Sequence, residues 1–510
     1  MALEPSRPGQ GCASCGALQQ ENAKLRQGNQ RLQGKVARLH RQVQSTQREL
    51  RLALGLIQDL QQEVARLRKQ RERNSSNSSL PPSANPPSAP PPVQKQPTGR
   101  KIGAQPGHPG HGRKLLPVEQ VDQVLVHVPA TCCHCGAALA QVHRDPQPHA
   151  RHQVMELPER AVSITEHQAY ACTCPHCGKR SAAALPAELT QSVCGERLSA
   201  AMGLFSSRVH GSRRAVAEVL QEVLGAPVSL GSVSAREQEL TCALAASHAQ
   251  LQQQLAAAPL KHLDETGWRR AQRWLWVAAD ASCALFHLDA QRGLHGLQRL
   301  LGRDDRDNTL QVRGIVISDR YGLYDRLPVE QRQLCWAHLK RDFTALAQGP
   351  PAQQPWGQRL LDLEQQVFAC WHQYRQRLPS LRRMLAPVQQ RMHRLLRQGQ
   401  RSGVPGVAGL CQYLLRQEAA LWRFAQVKGV TPTNNHAERM LRPAVQWRKQ
   451  CLGSHAEAGC RFAERMLSAI QSCKLQGRSV LQFCQDTLVA HRRGLPTPSL
   501  LPASAQTPSK

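Results

Sequence analysis

LKHLDETGWRRAQRWLWVAADASCALFHLD, Leu260–Asp289, decides the fold. Within it LKHLDET, RWLWVAAD and CALFHLD are three short apolar runs separated by turn material, the pattern of three strands. QRGLHGLQRLLG, residues 291–302, reads as a helix, and RGIVISD, residues 313–319, as a fourth strand. Asp264 lies inside the first strand and Asp319 just after the fourth. An aspartate within an apolar strand is costly without a partner, and a metal ion supplies one.

Three strands, a helix and a further strand form the opening order of a ribonuclease-H-like fold. Downstream, TNNHAERMLRP (Thr433–Pro443) places Glu438 among arginines on the first turns of a helix. Asn434 stands where it can cap that helix, and Asn435 where it can bond backbone or a ligand. Three carboxylates far apart in sequence, Asp264, Asp319 and Glu438, can form one divalent-metal site, because hard Mg2+ prefers carboxylate oxygens. Each also has an ordinary reading. Asp264 can pair with Arg269 or Arg270, Asp319 can cap a helix starting at Tyr321, and Glu438 can pair with Arg442 for about 0.2–0.5 kcal/mol. Glu265, Asp325 and Asp342 are the neighbouring carboxylates most easily confused with ligands.

The remainder of the chain says what such a site acts on. The 510 residues carry 66 Lys+Arg against 36 Asp+Glu, a net charge of +30. A surface this positive attracts polyanions and releases counterions from nucleic acid. No run of 18 apolar residues occurs and MALEPSRPGQ lacks a signal-peptide core, so a soluble intracellular protein with no membrane partner is expected. Its 18 cysteines are then thiols and metal ligands rather than a disulfide framework. Cys242, Cys283, Cys411 and Cys484 stand alone among apolar residues and are expected to be buried.

Leu25, Leu32, Leu39, Leu60 and Leu67 share one seven-residue register, with Asn22, Asn29, Val36, Val43, Leu50, Ile57 and Val64 three places earlier. Leucine at d with mostly β-branched residues and asparagine at a favours a parallel two-stranded coiled coil, so residues 18–73 read as a dimerising leucine zipper. A Pro/Gly-rich basic linker, 74–117, follows. CCHCG (132–136) and CTCPHCG (172–178) then give two CxxC pairs in a domain spanning 118–183. Cys132, Cys135, Cys174 and Cys177 suit a closed structural Zn2+ site, with Cys133, His134, Cys172 and His176 as alternative ligands. Residues 185–258 read as helices. An amphipathic helix ends at Gly225 and another begins near Ser229–Ser232, a helix-turn-helix-like arrangement with Arg213, Arg214 and Arg236 around it as DNA-binding candidates. The catalytic region spans 259–493 with a helical insertion at about 350–428, residues 456–492 read as further amphipathic helix, and 494–510 read as a disordered Pro/Ser-rich tail. The fold class expected is multidomain α+β: coiled coil, small zinc-binding domain, helical DNA-binding region and ribonuclease-H-like core.

The linker NSSN…PP…GAQPGHPGH, the two knuckles, HLDETGW, SDRYGLYDRLP…RQLCWAHLKRDF and TNNHAERMLRPAV together resemble transposases of the insertion-sequence-66 family. The resemblance runs from the zipper to about residue 490. It implies that Asp264, Asp319 and Glu438 form the Asp-Asp-Glu triad of a DNA transposase holding two Mg2+ (or Mn2+) ions, with His338 beside the site and Arg439 and Arg442 placed to hold phosphate. It further implies double-stranded DNA partners, both element ends and target, and small accessory proteins of the same element; with the homodimer expected from the zipper, the location expected is the bacterial cytoplasm, at the nucleoid. A non-catalytic zinc-containing DNA-binding protein, a repressor or an inactivated relic, is the competing reading, and an RNA-binding coiled-coil scaffold a third.

Overall fold

The computed structural model describes residues 13–71, 73–75, 77, 115–139, 147–148, 150–158, 161–173, 175–177, 179–186, 192–268, 272–302, 312–451, 454 and 456–502. The chain divides into two compact units, Met1–Gln94 and Lys95–Lys510. In the first, α1 (Ala13–Arg71) is one unbroken 59-residue helix. Its heptad leucines face water: Leu25, Leu32 and Leu39 are 63%, 61% and 61% exposed. A helix stabilised mainly by packing an apolar stripe leaves that stripe uncovered here.

In the second unit a 3-10 turn (Val118–Gln120) and the Thr131–Ala138 bridge precede a small hairpin, β1 (Ala171–Thr173) with β2 (Arg180–Ala182). Four helices follow: α2 (Glu196–Arg208), α3 (Arg213–Leu224), α4 (Leu230–Ala243) and α5 (Ala245–Ala257). Gly225 closes α3 in the left-handed conformation, and the Ser229 hydroxyl caps α4 by accepting the Ser232 N–H. Next come β3 (Leu260–Trp268), β4 (Arg273–Ala279), β5 (Ala284–Asp289), α6 (Leu294–Leu300) and β6 (Ile315–Ser318). A fifth strand that the sequence pattern did not reveal, β7 (Arg332–Leu334), completes a sheet of order β5-β4-β3-β6-β7. β3, β4 and β5 pair antiparallel, whereas β6 lies parallel to β3 and β7 parallel to β6.

Beyond α7 (Trp336–Ala347), an all-helical segment shares one buried cluster with α7 and with Ile317 and Leu334 of the sheet: α8 (Gln354–Tyr374), α9 (Leu378–Gln400), α10 (Val407–Arg416), α11 (Glu418–Leu421) and α12 (Arg423–Gln426). The chain then returns to the sheet with α13 (Asn435–Gln450), α14 (Glu457–Leu475) and α15 (Val480–Arg493). No described helix is long and apolar enough to cross a membrane.

The way α14 meets the sheet explains a row of buried polar residues. β5 is an edge strand, so its outward N–H groups need acceptors. Three of them find side chains one helical turn apart: Ala284 N–H bonds Ser472 Oγ (3.1 Å), Phe286 N–H bonds Ser468 Oγ (2.9 Å) and Leu288 N–H bonds Glu464 Oε1 (2.6 Å). Four helical residues advance about 6 Å and two strand residues about 6.6 Å, so the two rows stay in step for three rungs. Although burial pushes the Glu464 carboxyl up, His287 and Arg461 bring it below the ordinary glutamate range. It therefore stays a strong acceptor.

Three sequence expectations change. Residues 456–492 are two helices, and α14 is buried on most of its faces because it both covers the edge and fills the core. The segment from Gly494, expected to be disordered, packs through residue 502: Leu500 is 1% exposed, Ser247 donates to the Pro498 carbonyl (2.6 Å) and Gln476 to the Leu500 carbonyl (2.7 Å). Its apolar pair, Leu500 and Leu501, outweighs its turn-forming composition. Cys242 is exposed, while Cys283, Cys411 and Cys484 are buried.

Ser468→Ala and Ser472→Ala should each leave a buried strand N–H without an acceptor and destabilise the protein by about 1–3 kcal/mol. Glu464→Gln, which keeps an acceptor, should cost less than Glu464→Ala. Urea unfolding followed by circular dichroism tests both; equal costs for the two Glu464 variants would contradict the edge-capping account.

Candidate active site

The parallel register of β3 and β6 places two of the carboxylates. His262 pairs with Ile317, and Asp264 and Asp319 each lie two residues further on. With a side-chain period of two and adjacent strands about 4.8 Å apart, both project from the same face, at the same level. The third comes from α13, which packs on β3. Asn434, fully buried, precedes this helix. Its side chain does not cap the helix, as the sequence suggested; instead its Nδ2 donates to the Leu263 carbonyl (2.8 Å) and its Oδ1 lies 3.1 Å from His262 Nδ1. Its N–H meets Cys335 Sγ at 3.1 Å. Glu438 is four residues along, on the same side of the helix, and so is carried over the strand that bears Asp264.

The electrostatics bear the mark of three acids in one place. Burial, reinforced by the charges of Glu265, Asp319 and Glu438, holds the Asp264 carboxyl well above the ordinary aspartate range, opposed by one hydrogen bond from the Glu265 N–H (2.9 Å). Asp319 Oδ1 accepts the Tyr321 N–H (2.9 Å), a tight local turn. Glu438 Oε1 stands 3.8 Å from His338 Nδ1, and both are buried atoms without a hydrogen-bond partner. Burial and the nearby Arg341 lower the His338 pKa more than Asp319, Glu438 and Asp342 raise it. The imidazole is therefore neutral near pH 7 and leaves the Glu438 carboxylate uncompensated.

The three decoy carboxylates differ in kind. Glu265 Oε1 takes Arg292 Nη2 (2.7 Å) and its Oε2 the Tyr324 hydroxyl (2.9 Å). Asp325 binds the guanidinium of Arg332 and accepts the Tyr413 hydroxyl (2.8 Å). Asp342 pairs with Arg320 (2.8 Å). Among the described residues, neither Asp264, Asp319 nor Glu438 has an arginine or lysine within ion-pair distance; Arg269 and Arg270, the alternative partners for Asp264, lie outside them. Nor are any three His, Cys, Asp or Glu side chains, among the described residues, gathered tightly enough to enclose an ion. The site is an open cluster of like charges. Oxygen donors, an orphaned buried Glu438 oxygen and a raised Asp264 carboxyl together fit a hard divalent cation.

Sequence reading passed over the residues that hold this cluster. Arg332, fully buried in β7, donates from Nη2 to the Asp319 carbonyl (2.9 Å) while gripping Asp325. Arg292 lies against the rings of Trp274 (4.7 Å) and Tyr321 (4.1 Å) as it holds Glu265. A charged residue inside a strand triplet, RQL, was the available sign for Arg332.

Elsewhere, Arg439 and Arg442 are exposed on α13 beside Glu438, as is Asn435. Arg214 is exposed at the start of α3, but Arg213 pairs with Glu237 (2.8 Å) and Arg236 with Glu239 (2.7 Å), so these two also serve the fold. Cys132 and Cys135 sit in a turn closed by the Thr131–Ala138 bridge, with Gly136 at positive φ. The backbone N–H groups of His134 and Cys135 bond the Cys132 sulfur and lower its pKa, which favours the thiolate a metal needs. Cys177 is exposed in the β1–β2 turn. Cys174 lies outside the described residues.

Comparison with known proteins gives two family matches. Residues 209–462 match the model described as Transposase IS66 family, and residues 16–114 match a family of unknown function (DUF6444). An uncharacterised Sinorhizobium fredii protein, y4qI, is 29% identical over 202 residues, covering 36% of this chain and 37% of that protein. The chain thus aligns with little more than a third of that relative's length.

Because folding raises the Asp264 pKa above its ordinary 3.8, the native state holds this proton more tightly than the unfolded chain does. Stability in chelator is therefore expected to fall as pH climbs above that value toward the folded pKa. Asp264→Asn should flatten this dependence and raise the melting temperature near pH 7 by a few degrees. Calorimetry from pH 5 to 8 is the measurement; an unchanged slope in the variant would remove the like-charge account.

Proposed function

Since the chain belongs to the transposase IS66 family, we propose that it is the DNA transposase of a bacterial insertion sequence, cutting the element's ends and joining their 3′-hydroxyls to target DNA. One observation carries the catalytic reading. Among the described residues, the three acids that strand register and a helix turn bring to one face have no guanidinium within ion-pair distance, while the three acids around them each have one. A repressor or an inactivated relic has no use for that contrast, since unpaired, partly buried carboxylates only destabilise it.

In this reading the sheet is a ribonuclease-H-like core, and Asp264, Asp319 and Glu438 hold Mg2+ or Mn2+. Two such ions supply activation of the attacking oxygen and stabilisation of the leaving one in phosphodiester displacement. The chain's own part is placement. Asn434 holds α13 against β3, Arg332 fixes the Asp319 backbone, and the neutral His338 leaves Glu438 free for a cation. Arg439 and Arg442 then lie on the exposed side of the same helix, where they contact phosphates flanking the reacting bond.

The remaining modules serve DNA recognition and pairing of ends. The α3–turn–α4 unit reads the terminal repeats as a helix-turn-helix, with Arg214 exposed and, among the described residues, unpaired. Cys132, Cys135, Cys174 and Cys177 hold a structural Zn2+. The exposed seam of α1 joins two copies in a parallel coiled coil, and the small proteins of the same element assist. The protein works at the bacterial nucleoid.

Asp264→Asn, Asp319→Asn and Glu438→Gln should each bind element-end DNA as the wild type does and lose more than about 100-fold in cleavage and joining with Mg2+ or Mn2+, beyond the 10–100-fold typical of disturbing a metal site's outer partners. Four proteins of equal activity would sink the triad. Sedimentation equilibrium should give twice the chain mass, falling to the monomer for Val36→Asp/Leu39→Asp; a monomeric wild type would end the zipper claim.

A further inference from the structure

Helix α9 in the all-helical segment carries a surface that nothing above accounts for. Its sequence, LPSLRRMLAPVQQRMHRLLRQGQ, contains no acidic residue, and Arg401 follows directly. Leu381, Leu385, Val388, Met392, Leu395, Leu396 and Gly399 form its buried stripe. At 3.6 residues per turn, Arg383, Arg394, Arg397 and Arg401 fall within an arc of about 60° on the opposite side, spread over about 27 Å of axis. All four are exposed.

Several other helix arginines in this protein are paired with acids. On α14, Arg461 bonds both Glu457 and Glu464 (3.0 Å each), and on α4 Arg236 pairs with Glu239. On α9 the neighbours at i,i+3 and i,i+4, Arg394–Arg397 and Arg397–Arg401, are like charges, which destabilise a helix by about as much as opposite charges stabilise it. Other arginines of α9 are committed: Arg382 binds the carbonyls of Ala425 and Gln426 at the end of α12, and Arg391 a carbonyl of its own helix. The four of the stripe have no hydrogen-bond or ion-pair partner among the described residues. The three acids of residues 350–428 do not reach it either: Glu364 pairs with Lys340, Glu418 with His393, and Asp362 accepts from Gln358.

The helix that bears the stripe packs against α10, and α10 is tied to the acidic cluster. Tyr413 of α10 donates to Asp325, which Arg332 grips while bonding the Asp319 carbonyl. A polyanion held by α9 would therefore be held in fixed relation to Asp319.

We propose that Arg383, Arg394, Arg397 and Arg401 form a backbone-contacting surface for duplex DNA, holding the segment that flanks the strand at Asp264, Asp319 and Glu438. This rests on the transposase reading. Phosphate contacts leave a quantitative trace, since each releases close to one counterion and steepens the fall of log affinity with log salt by about 0.9.

The test is fluorescence anisotropy of the full chain with a labelled duplex across a NaCl series, comparing wild type with R383Q/R394Q/R397Q/R401Q. A control of equal charge change, R31Q/R38Q/R48Q/R51Q, lies on α1 outside its a and d positions. The stripe variant should keep its helical circular dichroism and show a salt slope shallower by about two to four, with the control close to wild type. An unchanged slope, or an equal change in the control, would overturn the proposal while leaving the transposase reading in place. Salt-dependent binding confined to single-stranded RNA would overturn the assignment to DNA. A wild type that binds no duplex at any salt would overturn both readings.

Discussion

The Asn434 side chain is the joint on which the site depends. It has no solvent exposure and meets His262 and the Leu263 carbonyl in β3, while its own N–H meets the Cys335 sulfur. An amide group supplies donor and acceptor together, so one residue satisfies two positions of a strand that a helix must cross. A buried polar group left half-bonded costs about 1–3 kcal/mol, and α13 therefore has one seat rather than a range. Burial pushes the His262 pKa down to about 4, so the imidazole stays neutral and the joint is not altered by protonation near pH 7.

A single seat matters because what it brings together repels. Asp264, Asp319 and Glu438 would separate if their elements were free to shift. The surroundings resist that with paired charges: Glu265 with Arg292, Asp325 with Arg332 and Asp342 with Arg320. Strain at a functional centre persists only where neighbouring structure over-determines it. On the far side of the sheet's antiparallel half the same logic appears without function, where Ser472, Ser468 and Glu464 turn an exposed edge into a helix contact.

Much of this was legible in the sequence, for reasons that can be named. Four of the five strands of the larger sheet announced themselves because their apolar runs were bounded by turns, and α3 and α4 because Gly225 and Ser229 punctuate them. β7 did not, since three residues starting with arginine carry no periodicity; its identity comes from Arg332 finding Asp325 and the Asp319 carbonyl in three dimensions. Asn434 was noticed for the wrong bond: N-cap preference is local, and the strand beside it is a tertiary fact. The packing of Leu500 and Leu501 was hidden by the prolines and serines around them. The distinction between ligand-like and ion-paired carboxylates was invisible, because partners such as Arg292 and Tyr413 are remote in sequence.

The long excursion between Asp319 and Glu438 bears on whether the third acid reaches the other two. A flexible segment inserted there would make its placement depend on loop entropy. The segment is instead closed at its neck: the Trp336 N–H bonds the Pro432 carbonyl (2.9 Å) where the chain leaves for α8 and where it returns before α13. Trp336 Nε1 and Gln333 both reach the Leu421 carbonyl, and Gln333 Oε1 accepts the Phe424 N–H. The returning strand of chain is thus registered against β7 and α7 before Asn434 docks. The position of Glu438 follows from that joint and from a neck that α11 and α12 themselves help to close.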